Sequence, residues 1–273
     1  MVGKEQGLLR RHAVGSYFVL TFAISWLGAL AVVAPRLLHG EPVPKFSGIL
    51  MFPVMLLGPA VSGILLTRVV DGGSGLRELF SRMRRSQAGA WWYATLLIPP
   101  GLVLLVLLGL KTLVSPVYAP NRFFVGVLFG MVAGFFEEIG WTGYAFPKMA
   151  RAGNGLVAAI ALGVLWGTWH IPVIDYLGTA TPHGGYWLEY FLAFAAAMTA
   201  MRVLIAWTYA NTKSVALAQL MHASSTGSLV VLSPSAVTAR QETVWYAVYA
   251  AALWLIVALV AARYAPELTR ETA

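Results

Sequence analysis

The chain has no cysteine. Disulfides, thiolate catalysis and cysteine-ligated metals are therefore excluded. Charge is scarce as well: 11% of residues are Asp, Glu, Lys or Arg, where a soluble globular domain carries roughly 25%. There is no stretch polar and long enough for a soluble domain, no internal repeat, no HExxH helix for zinc and no Gly-x-Gly-Asp of the aspartyl type. What the chain has in quantity is apolar surface. Hydrophobic residues make up 59% and fall in long runs, the pattern of an all-α, polytopic membrane protein. The formal net charge of +8 sits in short segments between those runs. That placement points to a lipid bilayer as partner and not to nucleic acid.

Eight apolar segments can be marked, at 15–34, 48–70, 90–115, 122–147, 155–176, 186–210, 214–232 and 244–263. Each comes close to the ~20 residues a helix needs to cross a bilayer. The first apolar run is longer than the core of a cleaved signal peptide, so it reads as a retained span. Pro99 and Pro100 predict an irregular start to the third segment. Cations concentrate in alternate connections: Lys4, Arg10 and Arg11; then Arg68, Arg77, Arg82, Arg84 and Arg85; then Lys148 and Arg151; then Lys213; then Arg263 and Arg270. The opposite connections hold Arg36, Lys45, Lys111, Arg122 and Arg240. With eight spans this predicts a multi-pass protein of the cell membrane with both termini in the cytoplasm. Residues 71–89 read as a polar loop with some attraction for anionic lipid. The whole of 1–273 reads as a single membrane domain.

The informative residues are the polar ones inside the spans. They are Glu137 and Glu138 in the fourth, His170 in the fifth, Arg202 in the sixth and His222 in the seventh. A charge near the bilayer centre costs about 2.5–3.5 kcal/mol, so a chain that keeps such residues is using them. At ~1.5 Å per residue, Glu137, Arg202 and His222 fall in one layer some 12–14 Å below the predicted cytoplasmic edge. His170 lies deeper, unless its helix starts after Asn154–Gly155 or is tilted or broken. Each residue also has a plainer reading. A single histidine can be a packing residue, Arg202 can snorkel to the surface, Trp166 and Trp169 can be packing aromatics, and Asp175 can be interfacial.

A carboxylate in low dielectric has a raised pKa and serves as a general base near neutral pH. A neighbouring imidazole holds a water, polarises a carbonyl or ligates a metal. Together they can turn water against a peptide bond. Adjacent residues on a helix point about 100° apart, so Glu137 and Glu138 cannot share one role. One turn beyond Glu138 stands Thr142.

The run EEIGWTGYAFP, the pair Trp166–His170 in LWGTWHIP, and His222 at the head of HASST follow one another in order. This set resembles the motifs of the CPBP intramembrane proteases, the family of the type II CAAX prenyl endopeptidases and the bacterial abortive-infection (ABI) proteins. The resemblance covers residues 120–230, which it marks as the protease core. It implies that Glu137 activates the hydrolytic water, Glu138 supports the site, His170 works with Glu137, and His222 is the later histidine. Two positions depart from it: the family's arginine falls at Thr142 and its asparagine at Thr226. Thr226 can still donate a hydrogen bond to an oxyanion. Thr142 cannot supply charge, so Arg202 is expected to replace that arginine as the partner of Glu138.

The resemblance implies an endopeptidase acting on a membrane-anchored or lipidated, CAAX-like peptide or protein near the cytoplasmic surface. The family is often described as metalloproteases. His170 and His222 with a glutamate form a plausible zinc set, while the glutamate–histidine mechanism also runs without metal, so zinc stays open. Gly72-Gly73-Ser74-Gly75 matches the rhomboid GxSG pattern, but in a polar linker. The competing readings are a proton-coupled transporter, which usually shows repeated halves, and a non-catalytic membrane scaffold or immunity protein.

Overall fold

The computed structural model describes residues 12–151 and 153–269, and these are helical with no strand among them. Lys4, Arg10, Arg11 and Arg270 lie outside the described residues. The helices are α1 (Ala13–Leu38), α2 (Lys45–Leu66), α3 (Gly72–Arg84), α4 (Ala90–Ala94), α5 (Ile98–Leu113), α6 (Val125–Gly140), α7 (Phe146–Ala150), α8 (Gly155–Trp169), α9 (Trp187–Thr212), α10 (Val215–Leu232) and α11 (Ala239–Tyr264). Several join into longer rods. A π-helical turn, Thr67–Asp71, links α2 to α3, and a second, Trp141–Ala145, links α6 to α7. A 3-10 turn, Thr95–Leu97, runs from α4 into α5, with Pro99 in the first turn of α5. This is the irregular start expected of the third segment.

Seven rods are long and apolar enough to cross a membrane: Ala13–Leu38, Lys45–Arg84, Ala90–Leu113, Val125–Ala150, Gly184–Thr212, Val215–Leu232 and Ala239–Tyr264. The chain is a multi-pass integral membrane protein. The remaining apolar segment forms only the 15-residue α8. It starts where Asn154 caps it, the side-chain oxygen accepting from Val157 N at 3.1 Å. It ends at Trp169 because Pro172 has no N–H to continue the ladder, and the chain turns into a 3-10 stretch, Ile171–Tyr176. At ~1.5 Å per residue, α8 is too short to span the hydrocarbon layer by itself. Residues 71–89 also differ from the expected loop. Most of them form α3, a helix with Leu79 fully buried, Arg77 and Arg84 exposed and Arg82 turned in toward Tyr209. The GxSG run is the first turn of that helix.

Two features bring the polar residues together. The first is the contact between α6 and α10. Gly126, Gly130 and Gly134 recur every four residues along α6, and such small residues let membrane helices approach closely. A Cβ on Gly130 would come within 2.5 Å of Gly227 N, and one on Gly134 within 2.5 Å of Gln219 O. Gln219 adds a cross-link, its Nε2 donating to Phe135 O at 2.9 Å. The second feature is the tight turn between α9 and α10. Lys213 takes a left-handed conformation (φ 53°) and Ser214 caps α10 by accepting from Leu217 N at 3.0 Å. Arg202 and His222 therefore face α6 from neighbouring antiparallel helices.

The bundle has two distinct ends. At one, Arg82 donates to Tyr209 Oη (2.5 Å) and to Gly143 O (2.9 Å), and Lys148 pairs with Asp71 (2.9 Å). At the other, Asn121 N and Phe123 N donate to Leu232 O and Val231 O at 3.1 and 3.0 Å. There too, residues 177–186 fold over as a strap. Thr179 N and Ala180 N donate to the two oxygens of the buried Glu242 at 2.9 and 2.8 Å, and Thr179 Oγ1 donates to Pro234 O at 2.7 Å.

Candidate active site

Glu138 is fully buried and its carboxylate is saturated. Arg202 grips it with both forks, Nη1 to Oε2 at 2.7 Å and Nη2 to Oε1 at 2.8 Å. This bidentate form is the strongest kind of side-chain ion pair. Thr142, one turn along the same rod, donates its hydroxyl to Oε2, and His222 Nδ1 lies 2.7 Å from Oε1. The guanidinium also lies 4.2 Å from the centre of the Trp166 ring, within cation–π range. Arg202 does supply the positive charge that Thr142 cannot. The plainer reading, in which Arg202 snorkels to the surface, is overturned: the residue is 0% exposed. Pulling it away would leave Glu138 an uncompensated buried charge, the costlier arrangement.

Glu137 points elsewhere, as the helical offset requires. One of its oxygens, Oε2, accepts two indole N–H bonds, from Trp166 at 2.6 Å and from Trp141 at 3.2 Å. Its other oxygen, Oε1, lies 4.0 Å from His222 Nε2. Trp166 is thus a hydrogen-bond donor to the site and not only a packing aromatic. Trp141 went unread in the sequence. It stands four residues after Glu137, the spacing that singled out Thr142 beside Glu138, and the same rule applied to Glu137 finds it.

The histidines are oriented by what their Nδ1 atoms touch. His170 Nδ1 lies 2.8 Å from Trp166 O. A carbonyl can only accept, so Nδ1 carries the hydrogen and Nε2 is the acceptor of a neutral ring. The carboxylate of Glu138 can likewise only accept, so Nδ1 of His222 carries a hydrogen and its Nε2 is turned toward Glu137. His222 stands closer to Glu137 than the motif comparison implied for a later histidine. Among the described residues, no hydrogen bond or ion pair joins His170 to Glu137.

These side chains line one cavity of about 280 Å³. Glu137, Trp166, His170, His222 and Thr226 form its inner part, with Phe194 and Met198 beside them. Asn121, Phe123, Gly178, Thr179 and Ser233 form its outer part. Thr226 lies one turn beyond His222. Glu138, Thr142 and Arg202 stand behind the lining, not in it. Asp175 is near the surface, with its Oδ1 accepting from His183 N at 3.2 Å.

Among the described residues, no three His, Asp or Glu side chains come together in a group suited to a metal ion. Glu138 is already saturated by Arg202, Thr142 and His222, which leaves His170, His222 and Glu137 as the only donors facing the cavity. As these three do not converge into such a group, the arrangement does not fit a zinc centre, and no step below is drawn through one.

Comparison with known proteins agrees with the region that builds this cluster. Residues 119–227 match the family described as type II CAAX prenyl endopeptidase Rce1-like. CAAX prenyl protease 2 of Methanococcus maripaludis is 34% identical over 108 residues, which cover 36% of this chain and 38% of that relative's own length. The family resemblance read from the three motifs is thereby borne out: residues 119–227, the stretch that supplies every side chain of the buried cluster, are similar to the type II CAAX prenyl endopeptidases.

Proposed function

We propose that the chain is an intramembrane endopeptidase that uses Glu137 to activate water against a peptide bond of a membrane-anchored, CAAX-like substrate. The observation that carries this reading is the pairing of Glu137 Oε1 with His222 Nε2 at 4.0 Å in the inner part of a cavity. Both atoms are acceptors when the ring is neutral. A single water fits between two such acceptors, giving one hydrogen to each. Its remaining lone pairs then face the cavity, where a substrate carbonyl would lie. Glu137 takes the proton as the water oxygen bonds to the carbonyl carbon, and later returns it to the departing amine as the C–N bond breaks. The Thr226 hydroxyl, in the same lining, donates to the oxyanion of the tetrahedral intermediate on this reading. His170 Nε2, fixed as an acceptor by Trp166 O, is suited to hold a substrate amide N–H.

Glu138 has a different task. Saturated by Arg202, Thr142 and His222, it is not available as a base. It fixes the tautomer and the angle of His222, much as a buried carboxylate orients a catalytic imidazole in hydrolases. Trp141 and Trp166 do the same for Glu137, so that one oxygen is held and the other is free. The similarity of residues 119–227 to CAAX endopeptidases favours hydrolysis over proton-coupled transport.

The test is cleavage of a lipidated CAAX-like reporter peptide by the purified protein in detergent or lipid. Glu137→Gln keeps the size of the side chain and an oxygen for the indole donors, so the variant should fold with an unchanged melting temperature. It removes the base and should lower the rate by ~10²–10⁴-fold, the usual worth of general-base catalysis. Full activity in Glu137→Gln would end this reading.

A further inference from the structure

We infer that a groove at the cation-rich end of the bundle is a binding site for the headgroup of an anionic phospholipid. The site is separate from the Glu137 cavity and does not rest on the peptidase reading.

The groove encloses about 520 Å³. Three of the apolar rods end around it. Arg82 and Arg85 come from the end of Lys45–Arg84 and the residue that follows it. Lys148 and Arg151 stand in the same way at the end of Val125–Ala150, and Lys213 directly follows Gly184–Thr212. A recess made by the ends of spanning rods lies at the level of the lipid headgroups, whichever leaflet it faces. Its lining also holds Asp71 and Glu78, so five cations meet two carboxylates, a net charge of +3.

Cation-rich ends are common in membrane proteins, because they set orientation. Two observations set this one apart. The first is that its walls are braced. Arg82 is fixed by Tyr209 Oη and Gly143 O, with its Nε 3.6 Å from Glu78. Lys148 is fixed by both oxygens of Asp71 at 2.9 Å and lies 4.8 Å from the centre of the Tyr144 ring. Donors held in place in this way lose little freedom when a ligand arrives. The second is that three cations of the lining, Arg85, Arg151 and Lys213, have no acidic partner among the described residues. A phosphate diester brings one negative charge and oxygens that accept from several such donors at once. Tyr209 Oη accepts from Arg82 and keeps its own hydrogen to donate to the same group. The ammonium of a zwitterionic headgroup would meet a lining of its own sign, so a headgroup that is anionic overall suits the groove.

Between the groove and Glu137 lie Trp141, Thr142, Tyr144, Ala145 and Phe146, all buried. Phe146 packs on Tyr209 at 6.1 Å between ring centres. This layer separates the groove from the cavity, whose mouth lies past Thr226 at Asn121, Thr179 and Ser233, at the opposite end of the bundle. A lipid seated in the groove ties α3, α7 and the turn between α9 and α10 together without entering the cavity.

The test is lipid retention by the purified full chain in detergent, read by native mass spectrometry as phosphatidylglycerol or phosphatidylcholine is titrated in. The expected result is one phosphatidylglycerol bound at concentrations where phosphatidylcholine is not retained. Arg85→Gln/Lys213→Gln removes two exposed cations and should weaken that binding roughly 30-fold, about fivefold for each cation near a lipid surface. The charge-conserving pair Arg85→Lys/Lys213→Arg should bind as the wild type does. So should Arg122→Gln/Arg240→Gln, which removes the same charge at the opposite end. Equal retention of the two lipids, wild-type affinity in Arg85→Gln/Lys213→Gln, lost binding in the charge-conserving pair, or an equal loss in the opposite-end pair overturns the inference. Displacement of the lipid by equimolar glycerol phosphate also overturns it, because the groove would then belong to a soluble phosphate compound.

Discussion

At the scale of single side chains, the consequences are greatest for Arg202. Its guanidinium is the counter-charge of Glu138, and Glu138 in turn holds His222. Arg202→Gln would leave the carboxylate buried without its cation. Breaking a buried pair by removing one partner costs about 3–5 kcal/mol. The expected outcome is a large fall in thermal stability in detergent, with cleavage lost as completely as in Glu138→Gln. Arg202→Lys should rescue only in part, because an ammonium cannot make the two parallel bonds of the fork. Wild-type stability in Arg202→Gln would show that the pair is not what holds the cluster. This pairing was legible in the sequence, because Arg202 is the only cation at the depth of the glutamates and the motif's own arginine position holds Thr142. The two indole donors on Glu137 were less so. An aromatic in an apolar helix has packing as its ordinary role, and nothing in composition tells which indole N–H points at a carboxylate. The orientation of the two imidazoles was out of reach for a similar reason: it depends on a carbonyl and a carboxylate contributed by other turns.

At the scale of helices, the stripe of glycines on α6 is the element that sets the spacing of the site. A leucine at Gly134 would collide with the backbone of α10 at Gln219 and Ala223. Overpacking of this kind typically costs about 1–3 kcal/mol where neighbours can yield, and here the neighbours are backbone atoms. Gly134→Leu should therefore push α6 and α10 apart, lower the melting temperature and abolish cleavage. Gly101→Leu, at a position with nothing within 4 Å of an added Cβ, should do neither. The strap over the mouth makes a second prediction. Glu242→Gln replaces one accepting oxygen by an NH2 group facing a backbone donor, where each charge-assisted bond is worth about 1.5–3 kcal/mol. Amide exchange across 177–186 should speed up, while α6 and α10 keep their protection. The apolar runs gave these helices clearly, but not their ends. The break after Trp169 depends on a proline three residues on, and the helix over residues 72–84 was hidden because Gly72, Gly73 and Gly75 read as a linker. Packing of Leu79 against Ala60 and Ile139 overrides that weak local preference.

At the scale of the whole molecule, the polar cluster and the charge asymmetry answer different questions. The cluster was readable because ionisable residues in a membrane are few and each has to find a partner. The direction from which it is reached was not, since periodicity and loop charge say nothing about which side chains fill the space above and below a carboxylate. Those side chains are seen only in the structure: a buried layer of Trp141, Tyr144 and Phe146 on one side and a cavity lined by Thr226, Thr179 and Ser233 on the other.

That sealed aromatic floor has a kinetic corollary. A strand that goes in past Ser233 meets a dead end below Glu137, so the two pieces left after scission cannot depart by separate doors along the axis of the bundle. The fragment lying deepest must back out, and until it does the next strand has to wait behind it. On the peptidase reading, clearance of products should limit turnover as much as bond breaking, and the deeper fragment, added back in excess, should compete with fresh peptide for the same berth.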